Sequence, residues 1–282
     1  MSAPAWPDPP VGFVLWPEER HALYAAAALA NEVRARGLGH WTGWERALAH
    51  GSAGSGRGVS AVIDGGSGTR WRLKAMRRGG LLAAVWRDRY PSARRLVATL
   101  SASVAARERG VPTAVAVALF VESGAAGLAR GAMAFEEIEG SEDLARRVVS
   151  KAATREDIVA TVTAVRAMHD LGVDHPDLNL GNVLLRKRPD GSPEALLIDF
   201  DRATFSAGPL SFGARQAGLR RLERSCAKLT GAPGPLGPGS EDVWYTAYAG
   251  EDAKLAHRLA DGRPVGRFAL AVHRARWRKN AS

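Results

Sequence analysis

The stretch HDLGVDHPDLNLGNVLLRKRPDGSPEALLIDFDR, residues 169–202, decides the fold of this chain of 282 residues. Two short apolar runs within it, residues 183–185 and 195–198, have strand character. The turn formers Pro-Asp-Gly stand between them at residues 189–191. We therefore predict a β-hairpin whose two-residue tip is Asp190-Gly191.

This hairpin register predicts which side chains meet at the open end. Leu184 would face Leu197, and Asn182 would face Asp199. Asp177 lies five residues before Asn182, on a loop rich in Gly and Asn that can fold back over the same spot. Two carboxylates and an amide oxygen would then converge, which is a donor set suited to Mg²⁺.

The spacing H-x-D-x-x-x-x-N, followed by an apolar strand and D-F-x, is the phosphoryl-transfer layout of protein-kinase-like enzymes. In that layout Asp177 accepts the proton of the acceptor hydroxyl, and Asn182 and Asp199 hold the metal. The alternative is a polar turn beside a core hairpin. Five positions match in order and in spacing, which favours the catalytic interpretation.

The first half of the chain contains a glycine-rich segment. Gly54, Gly56 and Gly58 precede a β-type run at residues 59–63, where a kinase phosphate loop would lie. Glycines let backbone N–H groups approach phosphates closely, although flexible linkers have the same composition. Lys74, in a second run at residues 71–75, would hold the α and β phosphates.

Further elements follow from apolar periodicity and from capping residues. An extended run at residues 133–138 leads into a hinge, where the backbone near Glu136 and Ile138 would bond adenine, and Ser141 would cap a helix. His169 and Cys226 are expected to be buried structural residues. We predict helices at residues 21–36, 92–109, 155–171 and 214–229.

Composition predicts a folded protein of a reducing compartment. Hydrophobic residues make up 46% of the chain, and the single cysteine excludes an internal disulfide. The sequence shows neither a leader-like start nor an apolar segment long enough to span a membrane. We expect a soluble cytoplasmic protein.

The chain is strongly basic, with a net charge of +10 and an estimated pI of 10.4. This balance indicates an anionic partner, such as ATP, nucleic acid or an anionic membrane surface. A denser basic cluster, HRARWRKN, stands at residues 273–280. The aromatic and basic interleaving of a nucleic-acid module is missing, so we favour an anionic membrane surface. Arginines that merely solubilise helices remain the alternative.

Four segments together resemble bacterial 3-deoxy-D-manno-octulosonic acid (Kdo) kinases, of the lipopolysaccharide kinase (Kdo/WaaP) group of the protein-kinase-like superfamily. The resemblance covers about residues 50 to 230 and implies an α+β, bilobal protein-kinase-like fold. A small β-rich N-lobe would occupy residues 51–138, and a mainly α-helical C-lobe residues 139–282, after a helical extension at residues 1–50. The four segments are Lys74 with RRGG (77–80), DLNLGN (177–182), LIDFDR (197–202) and RQAGLRRLERSCAKL (215–229).

The resemblance implies ATP- and Mg²⁺-dependent transfer of the γ-phosphate to the 4-hydroxyl of Kdo in Kdo-lipid A. Such an enzyme would lie on the cytoplasmic face of the inner membrane of a Gram-negative bacterium, where a basic surface suits the anionic acceptor. Other acceptors, namely a core heptose or another small molecule, are alternatives. A catalytically inactive nucleotide-binding pseudokinase is another.

Three positions depart from protein kinases. Protein kinases pair the strand lysine with a helix glutamate, expected here near residues 99–101, but no acidic residue lies between Arg89 and Arg107. Lys74 therefore needs a carboxylate from elsewhere, or it is less well held. Pro176 replaces the arginine of phosphorylation-switched kinases. The missing A-P-E segment and Asn179 favour a small-molecule or lipid-sugar acceptor over a protein.

Overall fold

The computed structural model describes residues 6–50, 52–53, 60–66, 68–76, 89–124 and 127–261. These residues form an α+β fold of two lobes, one built on a sheet and the other mainly helical. Gly54, Gly56 and Gly58, the RRGG segment and the basic cluster at residues 273–280 lie outside the described residues.

The N-lobe is an antiparallel sheet, in which seven strands lie in the order β1-β2-β6-β7-β5-β4-β3 within the described residues. Three helices pack against it: α1 (Ala30–Ala35), α2 (Trp41–His50) and α3 (Ala93–Glu108). The strands are β1 (Phe13–Pro17), β2 (His21–Ala26), β3 (Ser52–Ala53), β4 (Ser60–Gly66), β5 (Thr69–Ala75), β6 (Ala116–Ser123) and β7 (Ala129–Glu136).

The two faces of this sheet bury different helices because strand side chains alternate between faces. Trp44 of α2 packs with Trp71 and Phe120 on one face. Leu96 of α3 packs with Leu119 on the opposite face. Helix α3 therefore lies across one face of the sheet. It confirms the helix predicted at residues 92–109.

The helix predicted at residues 21–36 is wrong in its first part. His21–Ala26 is strand β2, which pairs with both β1 and β6. Only a 3₁₀ turn at Ala27–Leu29 and the short helix α1 are helical. The alanine-rich segment favours a helix locally, but pairing and burial in the sheet outweigh this weak preference. The predicted helical extension at residues 1–50 therefore contains two strands of the N-lobe sheet, β1 and β2, ahead of the helices α1 and α2.

The C-lobe combines helices with short strands. The helices predicted at residues 155–171 and 214–229 are confirmed, with bounds Arg155–Asp170 and Phe212–Thr230. Asp143, and not Ser141, caps the helix Leu144–Val149, since its side chain accepts from the Arg146 N–H. The elements are β8 (Glu142–Asp143), α4 (Leu144–Val149), α5 (Arg155–Asp170), β9 (Val173–Asp174), β10 (Val183–Lys187), β11 (Pro193–Leu197), β12 (Thr204–Phe205), α6 (Phe212–Thr230), α7 (Val243–Ala249) and α8 (Ala253–Ala260). The lobe boundary at residue 138 stays a prediction.

The predicted hairpin exists as β10 and β11, but its register is shifted by one residue. Leu184 pairs with Leu196, and the Asn182 carbonyl accepts from the Ile198 N–H at 3.0 Å. The loop has three residues, because Arg188 N–H bonds the Ser192 carbonyl across it. The last of the three, Gly191, has a φ of 83°. Pro-Asp-Gly fits this longer loop, in which the glycine takes the left-handed position.

The C-lobe core contains the two residues expected to be structural. Cys226 and His169 are both fully buried. Burial raises the pKa of the Cys226 thiol to about 11. Burial, followed by the charge of Arg215, lowers the pKa of His169 to about 4. Neither side chain is charged at neutral pH.

Candidate active site

A cleft of about 520 Å³ lies between the lobes, and five of the predicted site residues line it, whereas Asn182 is not part of its lining. The five are Lys74, Glu136, Ile138, Asp177 and Asp199. The β5 strand, the end of β7 and helix α3 form its N-lobe walls, and the loops around β10 and β11 form its C-lobe floor. The polar lining residues are Arg72, Lys74, Thr99, Ser103, Thr113, Glu136, Glu137, Ser141, Asp177, Asp199, Asp201 and Arg202.

Lys74 of the N-lobe forms an ion pair with a carboxylate of the C-lobe. Its Nζ lies 2.7 Å from Oδ2 of Asp199, and the two side chains are 44% and 33% exposed. The pair is accessible from the cleft, so a competing anion can reach the lysine. The carboxylate that pairs with Lys74 thus comes from outside α3. It belongs to Asp199, the residue predicted to bind metal.

The segment around Asp199 is held in an uncommon conformation. Asp199 has a φ of 68°, in the left-handed region that few residues other than glycine adopt. Its neighbours are fixed: Nε2 of His175 donates to the Ile198 carbonyl at 3.0 Å, and the His175 ring contacts Phe200 with centroids 5.0 Å apart. Burial lowers the pKa of His175, so the ring acts as a neutral support. Such strain is retained where surrounding contacts over-determine it.

Asp177 and Asn182 meet in the loop before β10. The Asn182 side-chain amide donates to the Asp177 carbonyl at 2.9 Å and lies 3.5 Å from the Asp177 carboxylate. Asn182 is 9% exposed, while Asp177 is exposed and has no ion-pair partner in the described part of the chain. A second amide, from Asn179, also donates to the Asp177 carbonyl at 2.8 Å. The carboxylate is therefore positioned through its backbone and left open towards the cleft.

These residues fit a divalent cation by the chemistry of their donors. Asp177 and Asp199 line one cleft, and Asn182 commits its N–H group to Asp177, which leaves its amide oxygen as a possible ligand. A few oxygen donors, with the remaining positions left to water and phosphate, is the set that Mg²⁺ prefers. Within the described residues, no cluster of three or more His, Cys, Asp or Glu side chains offers another metal site.

The segment predicted to bond adenine follows the end of β7, which the structure places at Glu136. The Glu136 N–H is used within the lobe, since it donates to the Val115 carbonyl at 2.9 Å. Glu136 and Ile138 both line the cleft. The Glu136 N–H is therefore excluded as a donor to a nucleotide base, and base recognition by this segment stays a prediction.

An ion pair beside the hinge was not predicted from the sequence. Arg72 lies two residues before Lys74 on β5 and holds the Glu137 carboxylate through two hydrogen bonds of 2.6 and 2.5 Å. The remaining Nη1 of Arg72 is buried without a partner among the described residues. Side chains alternate between the two faces of a strand, so Arg72 and Lys74 lie on the same face of β5. This spacing is the feature of the sequence from which a cleft position of Arg72 could have been predicted.

A second cluster, which the sequence does not predict, joins α3 to the segment after Asp199. Arg95 forms an ion pair with Oδ1 of Asp201, and the Thr99 hydroxyl donates to the same oxygen at 2.9 Å. Arg95 and Thr99 are one helical turn apart. That spacing is visible in the sequence, but their partner lies about a hundred residues away.

Comparison with known proteins identifies the family. The model of the "Lipopolysaccharide kinase (Kdo/WaaP) family" matches residues 44–234. The chain belongs to this family. A 3-deoxy-D-manno-octulosonic acid kinase of Stenotrophomonas maltophilia (strain R551-3) is 34% identical over 199 residues, which cover 68% of this chain and 74% of that protein. The enzyme of the same name from Xylella fastidiosa (strain 9a5c) is 34% identical over 188 residues, 61% and 71% of the two chains.

A solved structure described as "WaaP in complex with acyl carrier protein" is also similar, at 19% identity and a TM-score of 0.43, over 77% of this chain and 92% of that one. Membership of the lipopolysaccharide kinase family makes this chain an ATP-using phosphotransferase of lipopolysaccharide sugars. The residues that line the cleft lie within the matched range.

Proposed function

We propose that this kinase transfers the γ-phosphate of ATP to the 4-hydroxyl of Kdo in Kdo-lipid A, with Mg²⁺ as the metal. The observation that carries the proposal is the convergence of Lys74, Asp177 and Asp199 on one cleft, with Asn182 bonded to Asp177. The names of the curated relatives support Kdo as the acceptor sugar.

Asp177 is the proposed catalytic base. Its carboxylate is exposed to the cleft, and two amides that bond its backbone carbonyl hold it in place. In the reaction it orients the sugar hydroxyl and accepts its proton as the oxygen attacks the γ-phosphorus. The bond from that phosphorus to the β–γ bridging oxygen then breaks, and ADP leaves. Positioning and charge neutralisation account for most of the rate in this chemistry.

Lys74, Asn182 and Asp199 are the proposed phosphate and metal residues. Asn182 and Asp199 would hold Mg²⁺, which supplies charge neutralisation between the phosphates. Lys74 would exchange its contact with Asp199 for the α and β phosphates when nucleotide binds, since the pair is open to the cleft. The phosphate-loop role of Gly54, Gly56 and Gly58 remains a prediction, as does base recognition by the backbone of Glu136 and Ile138.

We further propose that the enzyme works as a peripheral protein on the cytoplasmic face of the inner membrane of a Gram-negative bacterium. The net charge of +10 supports attraction to a surface of anionic lipid. Within the described residues, no helix combines the length and apolarity needed to cross a membrane.

The test is phosphoryl transfer from radiolabelled ATP to purified Kdo-lipid A by the full chain and by Asp177→Asn. We expect the variant to lose transfer by at least about 100-fold because the base is gone, with unchanged thermal unfolding. Asp64→Asn, an exposed carboxylate outside the cleft, is the matched control and should retain activity. Unchanged transfer by Asp177→Asn would refute the assignment of the base.

An acceptor panel separates Kdo from the alternatives. Wild-type enzyme should label Kdo-lipid A, and removal of the Kdo residues should abolish labelling. Labelling of a heptose-containing core, with none on Kdo-lipid A, would overturn the acceptor assignment. A chain that binds ATP in a thermal-shift titration but labels no acceptor would be a pseudokinase.

A further inference from the structure

Helix α3 contacts the loop that contains Asp199 and Asp201 through a cation on the helix, whereas protein kinases have a carboxylate on this helix. Protein kinases place a carboxylate on this helix and pair it with the strand lysine. Here α3 has no acidic residue before Glu108, and it presents Arg95 and Thr99 to the carboxylate of Asp201. The cation is on the helix and the carboxylate is on the loop.

The three side chains form one connected cluster, which we call the Asp201 clasp. Arg95 and Thr99 both bond Oδ1 of Asp201, and Nη1 of Arg95 lies 3.5 Å from the Thr99 hydroxyl. Thr99 is 5% exposed, and the Arg95 side chain is 25% exposed. A shared acceptor oxygen and partial burial distinguish this cluster from an isolated surface ion pair, which contributes little.

The Asp201 clasp is the last of a series of contacts that hold residues 198–201, which we call the Asp199 segment. The residue before Asp199 is held by His175, Asp199 by Lys74, and Phe200 is buried against the His175 ring. Asp201 is therefore the last of four consecutive residues with a defined contact. The contacts to Asp199 and Asp201 come from the N-lobe, the first from β5 and the second from α3.

We propose that the Asp201 clasp takes the place of the lysine–glutamate pair and holds α3 and the Asp199 segment in the arrangement needed for catalysis. Arg95, Thr99 and Asp201 are then positioning residues, because they act through Asp199. The inference rests on the proposed phosphotransfer site. It explains how Lys74 can lack a helix carboxylate while the lobes stay coupled.

Steady-state kinetics of Asp201→Asn and Arg95→Met test the clasp. We expect each to lower kcat by roughly 10- to 100-fold, as for a displaced catalytic group, with a smaller change in the KM for ATP. Because the two residues act as a unit, the double variant should be no slower than the slower single variant. Arg94→Met, an exposed neighbour on the same helix, is the matched control. Multiplied losses in the double variant, or wild-type kcat in both singles, would overturn the proposal.

A charge swap and hydrogen exchange give readouts that a general loss of stability would not produce. The reciprocal variant Arg95→Asp/Asp201→Arg should recover part of the kcat lost by Asp201→Arg alone. Amide exchange across residues 93–108 should rise in Asp201→Asn while exchange across residues 155–170 stays unchanged, and this measurement needs no acceptor. Absent recovery together with unchanged exchange would refute the clasp, whereas an inactive wild type would refute only the proposed function.

Discussion

The buried histidine at the end of α5 predicts how the stability of the fold depends on pH. Burial and then the charge of Arg215 lower the pKa of His169 to about 4, from 6.5. Nδ1 lies 2.9 Å from the Tyr248 hydroxyl, and Nε2 is buried without a partner in the described part of the chain. The folded protein therefore keeps this ring neutral at pH values where the unfolded chain already binds a proton.

The sign and size of the effect follow from this difference. The contribution of His169 is fully present above about pH 6.5 and is lost as the pH falls towards 4, because only the unfolded state gains the proton in that interval. Between pH 7 and pH 5 the free energy of unfolding should fall by about 2 kcal/mol from this residue alone.

Urea denaturation at pH 7, 6 and 5 measures this dependence. Burial also lowers the pKa of His175, so the relevant quantity is the difference between wild type and His169→Gln. The variant should be less stable at pH 7, but its loss of stability down to pH 5 should be smaller by about 2 kcal/mol. Parallel pH dependences for the two proteins would refute the assignment of a neutral buried ring.

Two packing substitutions extend the test of this lobe. Gly218→Ala should lower the free energy of unfolding by about 1 kcal/mol, since the new Cβ would lie 2.8 Å from the His169 ring and this overpacking exceeds the gain in helix propensity. Urea unfolding should show the loss, and adding His169→Ala should remove it; a persisting loss would contradict the contact. Asp157→Ala should cost about 3–5 kcal/mol, because it removes the buried partner of Arg147 at 2.8 Å and the capping box with Thr154. Calorimetry against the exposed control Asp261→Ala would contradict this if both variants unfold alike.

Local chemistry in the sequence predicted the hairpin and the two long helices of the C-lobe, but not its short strands and helices. The hairpin and helix α5 have strong turn and capping residues, so their existence follows from nearby residues. The register did not follow, because Pro-Asp-Gly fits both a two-residue and a three-residue loop. Only the observed bond between Arg188 and Ser192 distinguishes them.

Long-range contacts account for the structural features that local sequence patterns did not predict. Strand β2 resembles a helix by composition, and it becomes a strand because Tyr24 pairs with Leu119 on β6. The partner of Lys74 is separated from it by 125 residues. Arg95 similarly shows no function until the fold brings Asp201 to it. In each case the deciding partner is remote in sequence, where local propensity carries no information.

The position of β2 between β1 and β6 has a consequence for synthesis of the chain. Ala25 pairs with Ala118, so the first hairpin cannot join its sheet until about a hundred further residues have left the ribosome. Until then the edge of β2 that faces away from β1 stays unpaired, and such an exposed edge promotes association between chains. Closing so long a loop also slows folding. A variant without residues 1–26 would leave β6 as an open edge and should aggregate during expression.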